Sequence, residues 1–260
     1  MVLPSSFSSS RLVRLLSSWA HQAVGPAEHD LVQRLSPWLG VFDAVNLHAA
    51  HQTLKASSQD PGTAPTEASA AALAQALDRL QQTLVQAIHE RTSPAPAPKP
   101  ARLSRFQSTA RPQAEEPELS WPVFKQRYQA LQHLMDTRIG ALRGQVRQSL
   151  FAATPVLRQL ATLDVALGAT LDARAEKLLP KVPSLLEKRF EQLRLAQASA
   201  PDTPADGPDA VSALLAAPAP PWQAGFRQDM QDLLLAELEV RLQPLQGLIE
   251  AFKNEVKSTP

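Results

Sequence analysis

The chain has 260 residues, with 41 Ala, 39 Leu and 23 Gln against three Ile, 15 Val and 13 aromatics, a stock that feeds helices and starves strands, so an all-β or parallel α/β fold is disfavoured. The absence of Cys removes disulfides, thiolate metal sites, Fe–S clusters and cysteine nucleophiles together. With 26 basic and 25 acidic residues the net charge is +1, which gives no global pull toward nucleic acid or anionic lipid.

The first 22 residues hold no apolar run of secretory length, since Arg11 and Arg14 interrupt it. No later window approaches a membrane span, and Pro218, Pro220 and Pro221 break the longest uncharged stretch. The expectation is a cytoplasmic chain. Residues 1–56 read as a small module of three helices. The first carries Leu12, Leu15, Leu16 and Trp19, the second Leu31, Leu35, Trp38 and Leu39, and Asp43 caps a third with Val45, Leu47 and Leu54.

After a linker at 57–66, the segment 67–91 places Leu73, Leu77, Leu80, Leu84 and Ile88 in one narrow apolar stripe on a polar helix. A lone stripe cannot bury itself, so these five residues are the candidate interaction face for a partner or a second copy. Residues 92–119, with alternating Pro and Ala, read as a disordered linker.

Prolines then punctuate the C-terminal half. Ser120 and Pro122 open a helix seamed by Phe124, Tyr128, Leu131, Met135, Leu142, Val146 and Leu150. Thr154–Pro155 opens another, striped by Val156, Leu160, Leu163, Leu167, Leu171 and Leu178, and Ser184 with Glu187 offers a capping box for a further helix to Ala198. Residues 120–198 are thus expected to form a helical hairpin, and 199–218 a loose linker. The region 219–260 reads as a long last helix with a seam of Phe226, Met230, Leu234, Leu238, Leu242, Leu245, Ile249, Phe252 and Val256, kinked at Pro244. Five basic residues against Asp136 in 120–153, facing six acidic against four basic in 219–258, favour packing those two helices together. The fold class is all-α: a small N-terminal helical module and an elongated antiparallel helical bundle or coiled coil, joined by a Pro/Ala-rich linker.

Reaction chemistry has little foothold. The glycines are isolated, no GxxxxGK, GxGxxG or GxSxG occurs, and Gly140–Gly144 sits among arginines, which suits close helix packing better than a membrane dimer. His48 and His51 stand three apart, yet lack HEXXH spacing and a cysteine, so they read as solvent-facing, and no metal, cofactor or catalytic residue is assigned. A helix-turn-helix centred on Gly40 would bury Asn46 and leave Lys55 as the sole base reader. Nucleic-acid association through the basic helix 120–153 is the alternative function.

One stretch has a likeness. Leu12 to Leu16 (LVRLL), then Arg34 to Ala50 with Trp38, Leu39, Gly40, Asp43 and Ala44 in register, resembles the LVRLL and RLSxWLGxxDAxxLxAA pattern of an uncharacterised β-proteobacterial family of helical proteins. The resemblance implies an accessory role at a bacterial envelope complex and carries over no functional residue. The function expected is a non-catalytic helical scaffold or adaptor that mediates protein–protein association or self-association, with no small-molecule substrate.

Overall fold

The computed structural model describes residues 10–20, 45, 48–49, 52, 62–93, 120–178, 181–198 and 221–258. The second helix and most of the third in the expected N-terminal module, and nearly all of the expected linkers 92–119 and 199–218, lie outside the described residues. Among the described residues all regular structure is helical and falls into six helices. They are α1 (Arg11–Ala20), α2 (Glu67–Thr92), α3 (Trp121–Ala152), α4 (Pro155–Leu178), α5 (Lys181–Ala198) and α6 (Pro221–Ser258).

Local chemistry explains the helix ends. Thr66 caps α2 with a full capping box: its hydroxyl accepts from the Ser69 amide at 3.2 Å, and Ser69 Oγ accepts from the Thr66 amide at 3.2 Å. Ser120 takes the N-cap position of α3 with Pro122 in the first turn, but its hydroxyl caps nothing, and its carbonyl accepts from the Val123 amide at 3.1 Å instead. Helix α5 starts at Lys181, ahead of the expected Ser184 cap, because Pro183 fits a first turn whose amides need no partner. Residues 120–198 therefore hold the three helices α3, α4 and α5. Helix α6 continues through Pro244.

The packing is organised around α6, which touches each of the other five helices. Its core is a three-helix unit of α2, α3 and α6. The contacts of α3 with α6 advance together along both helices (Phe124 with Phe226, Tyr128 with Glu237, Asp136 with Arg241), and Thr154 just past α3 meets Glu255, so these two helices run parallel. Helix α2 runs antiparallel to α3. Its leading segment meets the far end of α3, where the Thr63 amide donates to the Ala152 carbonyl at 3.0 Å. Gly62 holds a positive φ of 66° there, and a Cβ at that position would overlap the Ala153 carbonyl.

Two further helices complete the bundle. Helix α5 lies against the start of α6, with Arg189 Nε bonded to Asp229 Oδ2 at 2.7 Å. Helix α1 packs Leu12, Leu15, Leu16 and Trp19 onto the same core, and Arg11 Nη2 reaches Asp232 Oδ1 at 2.5 Å.

An aromatic cluster closes one end where α3, α5 and α6 meet. Phe226 stands edge-on to Phe124 at 5.0 Å and to Phe190 at 5.1 Å, and Trp121 and Trp222 flank the group. Every seam residue expected on α3 is buried. On α6 the buried face is wider than the expected seam, taking in Leu233, Ala236, Glu237 and Leu248 as well. A single heptad seam serves one neighbour, whereas α6 serves several, so a broader arc is enclosed.

The expected charge pairing is corrected. Arg143 and Arg147 of α3 turn to Asp164 of α4, and one ion pair that does join α3 to α6 has the opposite polarity, Asp136 with Arg241. The acids Asp229 and Asp232 of α6 meet Arg189 and Arg11 instead. Summed charge over a helix ignores which face each charge occupies, and that decides the partner. Apolar burial should dominate the stability of the seam. Leu238→Ala is expected to cost about 2–4 kcal/mol, and exposed Gln145→Ala to stay within about 0.5 kcal/mol. Urea unfolding midpoints of the two variants check this, and equal midpoints would refute the seam.

Candidate interaction surface

The stripe expected to meet a partner is turned inward. Leu84 and Ile88 are fully enclosed and Leu77 is nearly so, while Leu73 and Leu80 are half-buried against the same core. The sequence was right that this stripe needs cover, but α3 and α6 supply it within the chain. The C-terminal end of α2 is pinned by polar contacts as well: Thr92 Oγ1 donates to Gln231 Oε1 at 3.3 Å, and Gln231 Nε2 lies 2.6 Å from His89 Nδ1. These five residues are therefore core, and the expectation that they form the interaction face is corrected.

His48 is exposed and its Nε2 lies 3.3 Å from Gln52 Nε2, while His51 lies outside the described residues. Among the described residues no three His, Cys, Asp or Glu side chains gather as metal ligands would. Gly140 and Gly144 have open space where a Cβ would sit, so that pair marks no close helix approach.

The buried polar groups form a network that sequence patterning missed. Tyr128 Oη donates to Glu237 Oε1 at 2.6 Å, and Gln132 Nε2 donates to Tyr128 Oη at 2.9 Å and to the two Glu237 oxygens at 3.1 and 3.2 Å. Arg241 Nη2 lies 3.9 Å from Glu237 Oε2, and its other nitrogen bonds Asp136. Burial pushes the Glu237 carboxyl above the usual glutamate range, outweighing the Tyr128 hydrogen bond and the Arg241 charge. Burial, with the neighbouring carboxylate, also pushes the Tyr128 phenol well above its usual value, so it remains a donor at any physiological pH. The only sequence signal was a Tyr in a heptad seam, a position that accepts aromatic packing without revealing what its hydroxyl meets.

A second polar cluster fixes α4 to α3. Arg143 grips Asp164 through Nε to Oδ2 at 2.9 Å and Nη2 to Oδ1 at 2.5 Å. Arg147 adds Nε to Oδ2 at 2.6 Å and Nη2 to the Asp164 carbonyl at 3.1 Å. Burial alone would raise the Asp164 pKa, but the two guanidiniums outweigh it and hold the carboxyl below its usual value. Buried Gly168 makes room for them, since a Cβ there would lie 3.1 Å from Arg147 Nη2. The basic helix proposed for nucleic acid thus commits two of its five cations to a neighbouring carboxylate.

This clamp decides how α4 is oriented. Its inner face is Leu157, Ala161, Asp164 and Gly168, and the larger residues point elsewhere. Val156 is 63 % exposed, Leu163 36 % and Leu167 44 %, with Leu160 half-buried beside them. At 3.6 residues per turn these four fall within an arc of about 60°, roughly 100° away from the inner face. Val156, Leu163 and Leu167 of the stripe expected to be core are therefore at the surface, while Leu160 still packs against the core. Stripe residues beyond Leu167 (Leu171 and Leu178) have side chains outside the described set.

A family model described as "Protein of unknown function (DUF3348)" matches residues 3–254. No curated protein and no solved structure matches the chain. Among the described residues no helix is long and apolar enough to cross a membrane.

Proposed function

The chain belongs to this family of unknown function, DUF3348, and from that premise we propose that it is a non-catalytic, cytoplasmic helical scaffold that mediates protein–protein association through the outer face of α4. The observation that carries the reading is the set of exposed residues Val156, Leu163 and Leu167, large apolar side chains beside half-buried Leu160 on a helix whose inner face is already occupied. Helix-in-groove recognition and coiled-coil pairing both use anchors at this i, i+4, i+7 spacing. Tyr128 and Glu237 have the perturbed titration that can mark a catalytic pair. Here they are sealed between α3 and α6 and hydrogen-bonded to each other, an arrangement suited to fixing helix register.

The test is affinity purification from the native cell with wild-type protein and with Leu163→Lys/Leu167→Lys, the recovered proteins being identified by mass spectrometry. A partner retained by the wild type and lost with the variant, at unchanged helicity, is the expected result. Equal recovery by both would overturn the assignment of the α4 face.

A further inference from the structure

Helix α1 is seated on the bundle differently from the other described helices. None of its residues from Arg11 to Trp19 is buried, whereas each of the other five helices encloses at least two apolar side chains. Leu12, Leu15, Leu16 and Trp19 form one apolar face that meets the core only half-buried, and the helix touches α5 and α6.

Its own chemistry does little to hold it. Ten residues are too few for a helix that stands alone in water. Arg11 and Arg14 lie at its start with no acidic residue in the first turn, so both cations oppose the helix dipole. The Ser17 and Ser18 hydroxyls bond back to the Val13 and Leu15 carbonyls at 2.7 Å, a pattern that weakens helices. Local support comes from Ser10 Oγ, which accepts from the Val13 amide at 3.2 Å.

Docking supplies what the helix lacks. Arg11 Nη2 lies 2.5 Å from Asp232 Oδ1, and Nη1 lies 3.5 Å from Glu239 Oε1. Asp232, Leu235 and Glu239 are spaced i, i+3, i+7, so α6 offers two carboxylates with a half-buried leucine between them on one face. That surface matches a cation followed by leucines. Ion pairs this open to solvent are screened by salt, and a half-buried apolar face is released at lower cost than an enclosed one.

We infer that α1 is a displaceable strap, and that the α5–α6 surface beneath it is a receiving site for an amphipathic helix with a cation at its start and leucines along one face. Helix α1 fills the site in cis, and a partner helix of the same pattern is admitted when α1 lifts. The site is separate from the outer face of α4 and does not depend on that reading.

The probe is a fluorescein-labelled peptide of residues 10–20, titrated into the full chain and followed by fluorescence anisotropy. Three proteins are compared: the wild type, Leu12→Asp/Leu16→Asp, which lifts the strap, and that variant with Asp232→Lys/Glu239→Lys added. The lifted variant should bind the peptide at least about tenfold more tightly than the wild type, whose tethered α1 competes for the same surface. The two lysines should abolish binding, and added salt should weaken it. The lifted variant should keep the melting temperature of the wild type. Absence of binding by the lifted variant, equal binding by the wild type, binding that survives the lysines, or a large fall in melting temperature on lifting would each overturn the inference. Hydrogen exchange on the unaltered protein gives a check that needs no variant to fold. Amides of α1 should exchange at least about a hundredfold faster than those in the middle of α6, as a locally opening element does. Equal protection of the two helices would make α1 a permanent part of the bundle and overturn the strap.

Discussion

Phe226→Ala should destabilise the bundle by about 3–5 kcal/mol, the largest single-residue effect expected in the chain. Phe226 is fully enclosed and makes edge contacts with Phe124 at 5.0 Å and Phe190 at 5.1 Å, while Trp121 stands 6.4 Å away. Its removal would open a cavity where three helices converge, and rigid neighbouring rings collapse poorly into such a space. Helix α5 is held at this point by Phe190, Leu186 and the Arg189–Asp229 pair, so it should lose protection first. Phe151→Ala is the control, because Phe151 is 40 % exposed at the end of α3 and should change stability by less than about 0.5 kcal/mol. Denaturant unfolding of both variants, with hydrogen exchange at α5, measures the difference. Equal unfolding midpoints would mean that the aromatic cluster does not hold the three helices together.

The second large effect concerns the buried Tyr128–Glu237 pair, which Gln132, Arg241 and exposed Asp136 extend toward the surface. Tyr128→Phe removes one hydrogen-bond donor from a carboxylate enclosed between helices, and should cost about 1–3 kcal/mol at neutral pH. The pH dependence provides a sharper check. Burial raises the folded-state pKa of Glu237 above its ordinary value of 4.5, so the protonated form is favoured by folding. The stability this contributes is fully present below the unfolded pKa and is lost as pH rises through the folded one. Asp164 behaves oppositely. Its folded-state pKa lies below the ordinary 3.8, so its contribution is present above that value and is lost as pH falls through the folded one.

Glu237→Gln should therefore remove a decline in stability above pH 4.5 and leave the acid limb set by Asp164 unchanged. Tyr128→Phe removes a bond that favours the ionised carboxylate, so its cost should be greater at alkaline than at mildly acidic pH. Melting temperatures of wild type, Tyr128→Phe and Glu237→Gln across this range would decide. A wild type and Glu237→Gln with parallel pH profiles would show that the carboxyl does not titrate as an enclosed group.

The two clusters also give the bundle its specificity. Apolar seams of Leu and Ala slide past one another at low cost, because one leucine layer resembles the next. A Tyr–Glu bond between α3 and α6, and an Arg–Asp–Arg clamp between α3 and α4, can form in a single register only. Unpairing a buried carboxylate is far costlier than shifting a leucine.

The sequence by itself determined that this is a helical protein and, to within a few residues, where its described helices begin and end. Prolines at 122, 155, 183 and 221 lie in first turns, and long proline-poor segments follow them. That much is local chemistry, since a missing amide and a fixed φ act on the chain where they occur. The sequence also determined that α2, α3, α4 and α6 carry apolar stripes. It could not determine what each stripe meets. Leu77, Leu84 and Ile88 of α2 and Val156, Leu163 and Leu167 of α4 obey the same periodicity, yet the first set lies in the core and the second lies outside. Periodicity is a property of one helix, whereas burial is a property of pairs. On α4 the small residue Gly168 leaves room for the side chains of Arg143 and Arg147, and Asp164 on the same side is gripped by both. That face is the one pinned to α3 by ion pairs, and fixing one side of a helix leaves the adjacent side exposed. The tertiary structure alone decided which stripe became core and which became surface.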